Sequence, residues 1–283
     1  MAVLKLKRWN LAIGEGQPLV VIAGVNVLES RELAMETARH LKAVTGELGL
    51  PFVFKGSFDK ANRSSVASYR GPGLEAGLAL LAEVKAEFGV PVATDYHEVS
   101  QAEPVARVAD LVQVPAFLSR QTDLVVAGAR AALANGGLLH VKKAQQMAPW
   151  DTRNIVDKVR DAVGGADITI LCERGTQFGY NNLVVDMLAI PLMKKLGVPV
   201  TIDATHAVQL PGADPRTAGA STGGRRDGVA VIARSAVAAG ADGVFLEFHT
   251  DPDKALCDGP SCLPLSAARD LLARLKAVHA VVS

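Results

Sequence analysis

Eight short apolar runs, separated by longer stretches of helical pattern, leave few folds open to this chain. The runs are Leu19–Ala23, Phe52–Lys55, Pro91–Asp95, Leu111–Val114, Leu138–Lys142, Ile168–Cys172, Pro199–Asp203 and Gly243–Glu247. Each is apolar through most of its length, as parallel strands covered on both faces are. Helical patterning runs over Arg31–Leu48, Gly73–Phe88, Asp123–Ala134, Thr152–Val163, Asn182–Leu196, Asp227–Ala239 and Leu265–Val278. Gly49-Leu50-Pro51, Gly89-Val90-Pro91 and Gly197-Val198-Pro199 each put a glycine after a helix and a proline at a strand start, which marks three helix-to-strand junctions. Eight strand–helix units in one unbroken series predict an α/β chain folded as a single (β/α)8 barrel over residues 1–283. A doubly wound open sheet is the alternative, but no Gly-x-Gly-x-x-Gly turn follows the first strand. Leu4-Lys5-Leu6 and Leu11-Ala12-Ile13, with a turn at Trp9-Asn10, predict a small hairpin in an extension over residues 1–18 that covers the N-terminal end of the barrel.

Bulk properties agree with that fold and narrow the function. A length of 283 residues is ordinary for such a barrel, and 49% hydrophobic with 21% charged residues gives it a substantial core. The net charge of +1 argues against a nucleic-acid binder, which carries a basic excess. Local clusters of cations then point to a focused anion site. Cys172, Cys257 and Cys262 are few, odd in number and without a Cys-x-x-Cys pair, the pattern of a reduced cytosolic protein. No signal-peptide core and no run of membrane-spanning length is visible, so a cytoplasmic protein with no membrane partner is expected.

In a barrel of this kind the active site lies at the C-terminal ends of the strands. Those ends read Asn26, Lys55 and Ser57, Asp95 and His97, Gln113, Lys142 and Lys143, Glu173 and Arg174, Asp203 and His206, and Glu247 and His249. Any one of them has an ordinary explanation as a loop-facing residue; together they converge on one mouth. The second end continues as Lys55-Gly56-Ser57-Phe58-Asp59-Lys60-Ala61-Asn62-Arg63-Ser64-Ser65. Cations and hydroxyls leaving a buried strand together call for an anionic partner, phosphate or carboxylate. Strand alternation puts Leu138, His140 and Lys142 on one face and Lys143 on the other, so only one of the two lysines points to the axis. His140 fits a hydrogen-bonded interior histidine. His206, Glu247 and Asp258 are compatible with a divalent-metal site, a proton relay or an ion-pair network. The long small-residue segment between His206 and Arg226 reads as a lid.

Several segments closely resemble the 3-deoxy-D-manno-octulosonate 8-phosphate synthases. They include Asn26-Val27-Leu28-Glu29-Ser30-Arg31, the Phe54–Ser65 block, Tyr69-Arg70-Gly71-Pro72-Gly73 and Pro115–Asp123. Further along are Cys172-Glu173-Arg174-Gly175, Asn182–Met187, Thr205-His206-Ala207 and Cys257-Asp258-Gly259-Pro260-Ser261. The related heptulosonate 7-phosphate synthases have Lys-Pro-Arg-Thr where this chain has Lys60-Ala61-Asn62-Arg63-Ser64. The resemblance implies an aldol-type condensation of phosphoenolpyruvate with D-arabinose 5-phosphate, of the kind used in lipopolysaccharide biosynthesis. It implies that Lys55, Ser57, Lys60, Gln113, Lys142 and Arg174 surround phosphoenolpyruvate, with Gln209 in the same substrate-binding set. By the same resemblance Asn62 and Asp95 would lie near the sugar aldehyde and hydroxyls. The resemblance also implies that Arg63 and Ser64 grip the sugar phosphate, in the family from a neighbouring subunit, and that Phe117 belongs to that contact region of a homotetramer. Asn26, Lys60, Asn62, Asp95, His206, Glu247 and Asp258 form the implied catalytic set.

Asn26 decides the cofactor expectation. Metal-requiring members of the resembled family carry cysteine there, whereas an uncharged amide is a far weaker ligand. Cys257 immediately before Asp258 also resembles the metal-free subgroup. No metal and no other cofactor is therefore expected. His249-Thr250 departs from the usual His-Pro of the family and bears on the shape of the last loop. Competing readings are heptulosonate 7-phosphate synthesis, a Schiff-base aldolase using Lys55 or Lys142 as nucleophile, and a phosphosugar-binding protein without catalysis.

Overall fold

The computed structural model describes residues 2–214, 217 and 222–282. Eight strands carry the barrel: β1 (Val20–Val27), β2 (Phe52–Ser57), β3 (Val92–Asp95), β4 (Leu111–Val114), β5 (Leu138–Lys142), β6 (Thr169–Glu173), β7 (Val200–Asp203) and β8 (Gly243–His249). Neighbours in sequence pair in parallel, and β8 pairs with both β7 and β1, which closes the ring. Helices α1 (Arg31–Leu48), α2 (Leu74–Phe88), α3 (Ala102–Val108), α4 (Thr122–Ala134), α5 (Arg153–Ala162), α6 (Ala189–Lys194), α7 (Val229–Ala238) and α8 (Ala268–Val282) alternate with the strands. The barrel expected from the sequence is the barrel observed. Every strand residue is buried, because helices cover the outer face while side chains fill the lumen.

Local chemistry sets the boundaries. Ser30 caps α1 by accepting from the Leu33 N–H at 3.1 Å, and Gly49 ends it in the left-handed region at φ 65°. A Cβ on Gly24 would lie 1.9 Å from the Lys55 carbonyl oxygen, so β1 and β2 approach closely only because that residue is glycine. The β1–β2 register shifts between Gly24 and Val27, the stretch that carries Asn26, and such irregularities re-aim side chains at barrel rims.

Two helix expectations need correction. Asn182–Leu196 is not one helix. Leu183–Val184 pairs antiparallel with Thr176–Gln177, and α6 occupies only Ala189–Lys194. The β-branched Val184-Val185 favours extended backbone, and Asp186 Oδ1 accepts from Leu188 N at 2.9 Å, which delays the helix start. The short α3, with Pro104 in its first turn, was absent from the seven helices read from pattern. Of the expected lid, Gln209–Leu210 and Gly223–Gly224 pair antiparallel at its two ends; residues 215, 216 and 218–221 lie outside the described residues.

The hairpin of Leu4–Leu6 and Leu11–Ile13 forms as expected, with Leu4, Leu6, Leu11 and Ile13 buried in the core. Trp9 Nε1 donates to Asp110 Oδ1 at 2.7 Å, at the start of β4, and the Ala2 N–H reaches the Gly197 carbonyl ahead of β7. The hairpin therefore sits at the N-terminal end of the strands. The same end carries a recurring clamp. Asp110 accepts from the Val92 N–H at 3.0 Å and from Lys85 Nζ on α2 at 2.9 Å. Four units further round the ring, Asp242 accepts from the Val200 N–H at 2.8 Å and from Lys194 Nζ on α6 at 2.9 Å.

Candidate active site

At the opposite end, the strand termini enclose a cavity of about 280 Å³. From β2 and its loop come Lys55, Lys60, Asn62, Arg63 and Ser64. The ends of β3 and β4 supply Asp95, Gln113 and the loop residue Phe117. The far wall holds Lys142, Arg174, His206, Gln209 and Asp258. Of the expected site residues, Asn26, Ser57 and Glu247 are the ones not on the wall; they are buried and connect to it through hydrogen bonds.

Ser57 is fully buried. Its Oγ accepts from Lys55 Nζ at 2.6 Å and Lys60 Nζ at 3.1 Å, and donates to Asp95 Oδ1 at 2.6 Å. A hydroxyl has one proton and two lone pairs, so all its capacity is taken. In this arrangement Ser57 faces Lys55, Lys60 and Asp95 and does not line the cavity. Lys55 Nζ also lies 3.3 Å from Glu247 Oε1. Asn26 Nδ2 donates to both Glu247 Oε2 and, at 3.1 Å, Asp258 Oδ2. The reverse amide orientation would aim its oxygen at two carboxylates, so the hydrogen-bond partners fix it.

Alternation is resolved on β5. Lys142 points to the axis, with Nζ 2.5 Å from Asp203 Oδ2 and 3.7 Å from the Phe245 ring centre. Lys143 points outward and pairs with Glu173 Oε1 at 3.6 Å. His140 is an interior histidine beneath the mouth. It lies in hydrogen-bond contact with Gln113 and Thr201 and stacks on Phe245. Burial, helped by Lys142, lowers its pKa to about 3, which keeps it neutral.

The charges are strongly coupled. Burial lowers the Lys55 pKa to about 8, with Lys60 adding to the effect. Burial opposes protonation of Lys60 too, but Glu247 and Asp95 outweigh it and raise that lysine. Burial alone would raise Glu247; His206, Lys55, Lys60 and Lys142 instead bring it down to about 2. Asp95 is likewise held well below the carboxylate range, against burial, by Lys55 and His97. The acids remain ionised at neutral pH and tie down part of the cationic charge. Arg174 is less occupied: Nη2 donates to Gln209 Oε1 at 2.9 Å, whereas Nη1 is buried with no protein partner. A buried guanidinium nitrogen without a partner favours an anion from outside.

Arg63 and Ser64 line the mouth of their own barrel. Arg63 donates to Cys257 Sγ at 2.6 Å and to the Leu256 carbonyl at 3.2 Å, which ties the second loop to the last. Phe117 is 59% exposed. The structure also brings in residues outside the expected set. His97 lines the cavity 3.3 Å from Asp95 Oδ2, and Asp203 lies 2.8 Å from His206 Nδ1. Both stand at strand ends in the sequence, a signal that marked them without ranking them. Gln145 also lines the cavity, and nothing in the sequence sets it apart from a loop residue.

A closed barrel whose C-terminal mouth gathers lysines, arginines and ionised acids over one small cavity is the architecture of an enzyme acting on small anions. The chain belongs to the DAHP synthetase I family, whose model matches residues 2–281. It is 53% identical over 279 residues to the 2-dehydro-3-deoxyphosphooctonate aldolase of Bdellovibrio bacteriovorus, covering 98% of this chain and 93% of that one. The protein of the same name from Marinobacter nauticus is 52% identical over 282 residues, covering 100% and 97%. That from Desulfotalea psychrophila is 49% identical over 282 residues, again covering 100% and 97%. Among the described residues no helix is long and apolar enough to cross a membrane.

Proposed function

We propose that this chain condenses phosphoenolpyruvate with D-arabinose 5-phosphate and water, giving 3-deoxy-D-manno-octulosonate 8-phosphate and inorganic phosphate, without a metal ion and as a homotetramer. The observation that carries the reaction is the convergence of Lys60, Arg63, Lys142 and Arg174 on one small cavity that also holds Asn62 and Asp95. Two phosphorylated reactants need cations at separated points, and the cavity has them on opposite walls. Arg174, with its unpartnered nitrogen, and Lys142 hold phosphoenolpyruvate. Arg63 and Ser64 take the sugar phosphate, while Asn62 and Asp95 face the aldehyde and hydroxyls.

With both reactants fixed, the methylene carbon of phosphoenolpyruvate attacks the aldehyde carbon. Positive charge develops on the adjacent carbon, where water adds, and an alkoxide forms on the old aldehyde oxygen. The neighbouring acids Glu247 and Asp258 offset the first charge, and Lys60 stabilises the second. Loss of phosphate from the resulting adduct leaves the keto acid.

Metal independence is supported by the chemistry at Asn26. His206 Nε2 lies 3.5 Å from Glu247 Oε2 and 3.8 Å from Asp258 Oδ2, so the three face one another. The fourth group facing them, however, is an N–H donor already bonded to both carboxylates. An amide N–H cross-links the acids and is no ligand. The set does not fit a resident metal.

The deciding assay is phosphate release by metal-stripped protein with five-carbon or four-carbon aldose phosphate as acceptor. Preference for the four-carbon acceptor would mean heptulosonate synthesis; loss of activity on chelation, with stoichiometric metal by elemental analysis, would refute the metal claim. The depressed pKa of Lys55 also favours a second reading, a Schiff-base aldolase. Borohydride with substrate would then label the protein and is expected to leave it unmodified. Because Phe117 is exposed beside the cavity, activity should fall when dilution dissociates the tetramer.

A further inference from the structure

Arg63 lines the cavity but is held in place by neutral groups. Its Nη1 donates to Cys257 Sγ at 2.6 Å and its Nη2 to the Leu256 carbonyl at 3.2 Å. Burial, with Asp258 alongside, raises the Cys257 thiol above its ordinary range, so it stays uncharged at neutral pH. Neither anchor cancels the positive charge, and the guanidinium Nε is buried with no protein partner. One side of the guanidinium is thus taken by the last loop, and the other is left for an anion. Which side is which depends on where that loop holds the Leu256 carbonyl and the Cys257 thiol.

The loop is gripped in turn by Glu29. Its Oε1 accepts from the Leu256 N–H at 2.9 Å, and its Oε2 lies 3.5 Å from His249 Nε2 at the end of β8. His249 Nδ1 accepts from the Asp251 N–H at 2.9 Å, which turns the ring toward the loop. One carboxylate therefore ties down both the root of the last loop and its middle. Glu29 projects from fixed backbone: the Leu28 N–H donates to the Ser57 carbonyl at 3.0 Å, Tyr69 Oη donates to the Leu28 carbonyl at 3.1 Å, and Ser30 caps α1. Leu256 is 48% exposed, so packing does little to fix it. Its conformation is set by two hydrogen bonds, N–H to Glu29 and C=O to Arg63. Glu29 does not line the cavity and can act on a ligand only through this loop.

We propose that Glu29 is a positioning residue for the aldose phosphate. By holding the Leu256 N–H it presents the Leu256 carbonyl and the Cys257 thiol to Arg63, and so sets the side of the guanidinium that meets the phosphate. This role rests on the reading that Arg63 takes the sugar phosphate. With the carboxylate in reach of the loop, the guanidinium is aligned before the ligand arrives; without it, loop and side chain must be ordered on binding, at a cost in affinity. The effect is confined to one reactant. Lys142 and Arg174, which hold phosphoenolpyruvate, are anchored instead by Asp203 and Gln209. Asp258, further along the same loop, has its own holder in Asn26 Nδ2 at 3.1 Å, so the acid cluster keeps its geometry when Glu29 lets go.

The test is steady-state kinetics of the full-length protein with each reactant varied in turn, on Glu29→Asp, Glu29→Gln, Arg63→Lys and the double variant of Glu29→Asp with Arg63→Lys. Glu29→Asp keeps the charge but draws the oxygens back by one methylene, away from the Leu256 N–H. The KM for D-arabinose 5-phosphate should rise about 10-fold, the scale of one charge-assisted hydrogen bond. The KM for phosphoenolpyruvate should stay within about twofold and kcat within about threefold of the parent, on the same reasoning. Glu29→Gln keeps the reach without the charge and should restore the acceptor KM to within about threefold of the parent. Arg63→Lys has no fork for the loop to orient; it should raise the acceptor KM by itself, and adding Glu29→Asp should cost no more than about twofold further. A Glu29→Asp protein with the parent's acceptor KM would overturn the role. So would one in which both KM values rise together, a Glu29→Gln protein as impaired as Glu29→Asp, or a double variant whose losses add. An acceptor KM unchanged by Arg63→Lys would remove the assignment of the sugar phosphate and the role of Glu29 with it. Absence of turnover by the unaltered protein would remove the function as a whole; the other outcomes remove the role of Glu29 alone.

Discussion

Replacing the amide at the centre of the acid cluster by a carboxylate, Asn26→Asp, tests the electrostatic reading of the site most directly. The substitution keeps the shape but exchanges two hydrogen bonds, to Glu247 and Asp258, for two like-charge contacts. At the 3.1 Å between the amide nitrogen and Asp258 Oδ2, two unit charges repel by about 5 kcal/mol at an effective dielectric constant of about 20. Lys55, 3.3 Å from Glu247, offsets part of this. A net loss of about 2–4 kcal/mol is expected, in the range for breaking a buried polar network. For a chain of 283 residues that amounts to about 3–7 °C in Tm. The new carboxyl has its folded-state pKa raised above the unfolded value. The folded state then binds the extra proton, and the stability difference from the parent grows as pH rises from about 4 to 7. The new oxygen is also a metal ligand where the amide nitrogen was not, so added Mn2+ should restore stability at pH 8 and EDTA should reverse the gain. Thermal unfolding at pH 5 and pH 8, with and without metal, reads all of this. A variant that melts with the parent at pH 8 and ignores metal would refute the account of Asn26 as a neutral cross-link between two ionised acids.

Other outcomes follow from the same geometry. Arg174→Lys removes the fork that leaves one nitrogen for a ligand, and should raise the KM for phosphoenolpyruvate about 10- to 100-fold while moving kcat much less. Asp242→Ala strands the Val200 N–H and Lys194 at the base of the barrel; stability measured in urea should fall by about 2–4 kcal/mol with kcat/KM within about twofold. Glu247, depressed to about 2 from an ordinary 4.5, contributes stability that is fully present above pH 4.5 and is lost as pH falls toward 2. That contribution is on the order of 3 kcal/mol, and circular dichroism of Glu247→Gln should show a shallower acid unfolding than the parent.

The ring of strands was legible because burial on both faces forces nearly continuous apolar runs, and because glycine and proline mark three junctions. Helix α6 was not. The residues Asn182–Leu188 have helical spacing, yet Leu183–Val184 has a tertiary partner in Thr176–Gln177, and pairing between loops leaves no periodic trace. Site residues were visible at strand ends for the same geometric reason. What the sequence withheld was their allocation. That Lys142 faces the axis and Lys143 does not depends on strand tilt. That Ser57 lies under the floor depends on three side chains from β2, β3 and the loop after β2 meeting at one oxygen. Asp203 reads as an ordinary strand end until Lys142 and His206 are both found against it.

The paired clamps at Asp110 and Asp242 lie on opposite sides of the ring, at the end away from the chemistry. Rigidity is thus supplied from beneath, by a carboxylate bolting helix to strand at two points half a turn apart. The upper loops are correspondingly free to be rewritten. A barrel anchored in this way tolerates exchanges such as Lys60-Ala61-Asn62-Arg63-Ser64 for a shorter-sugar motif, because altering what the rim holds leaves the foundation untouched.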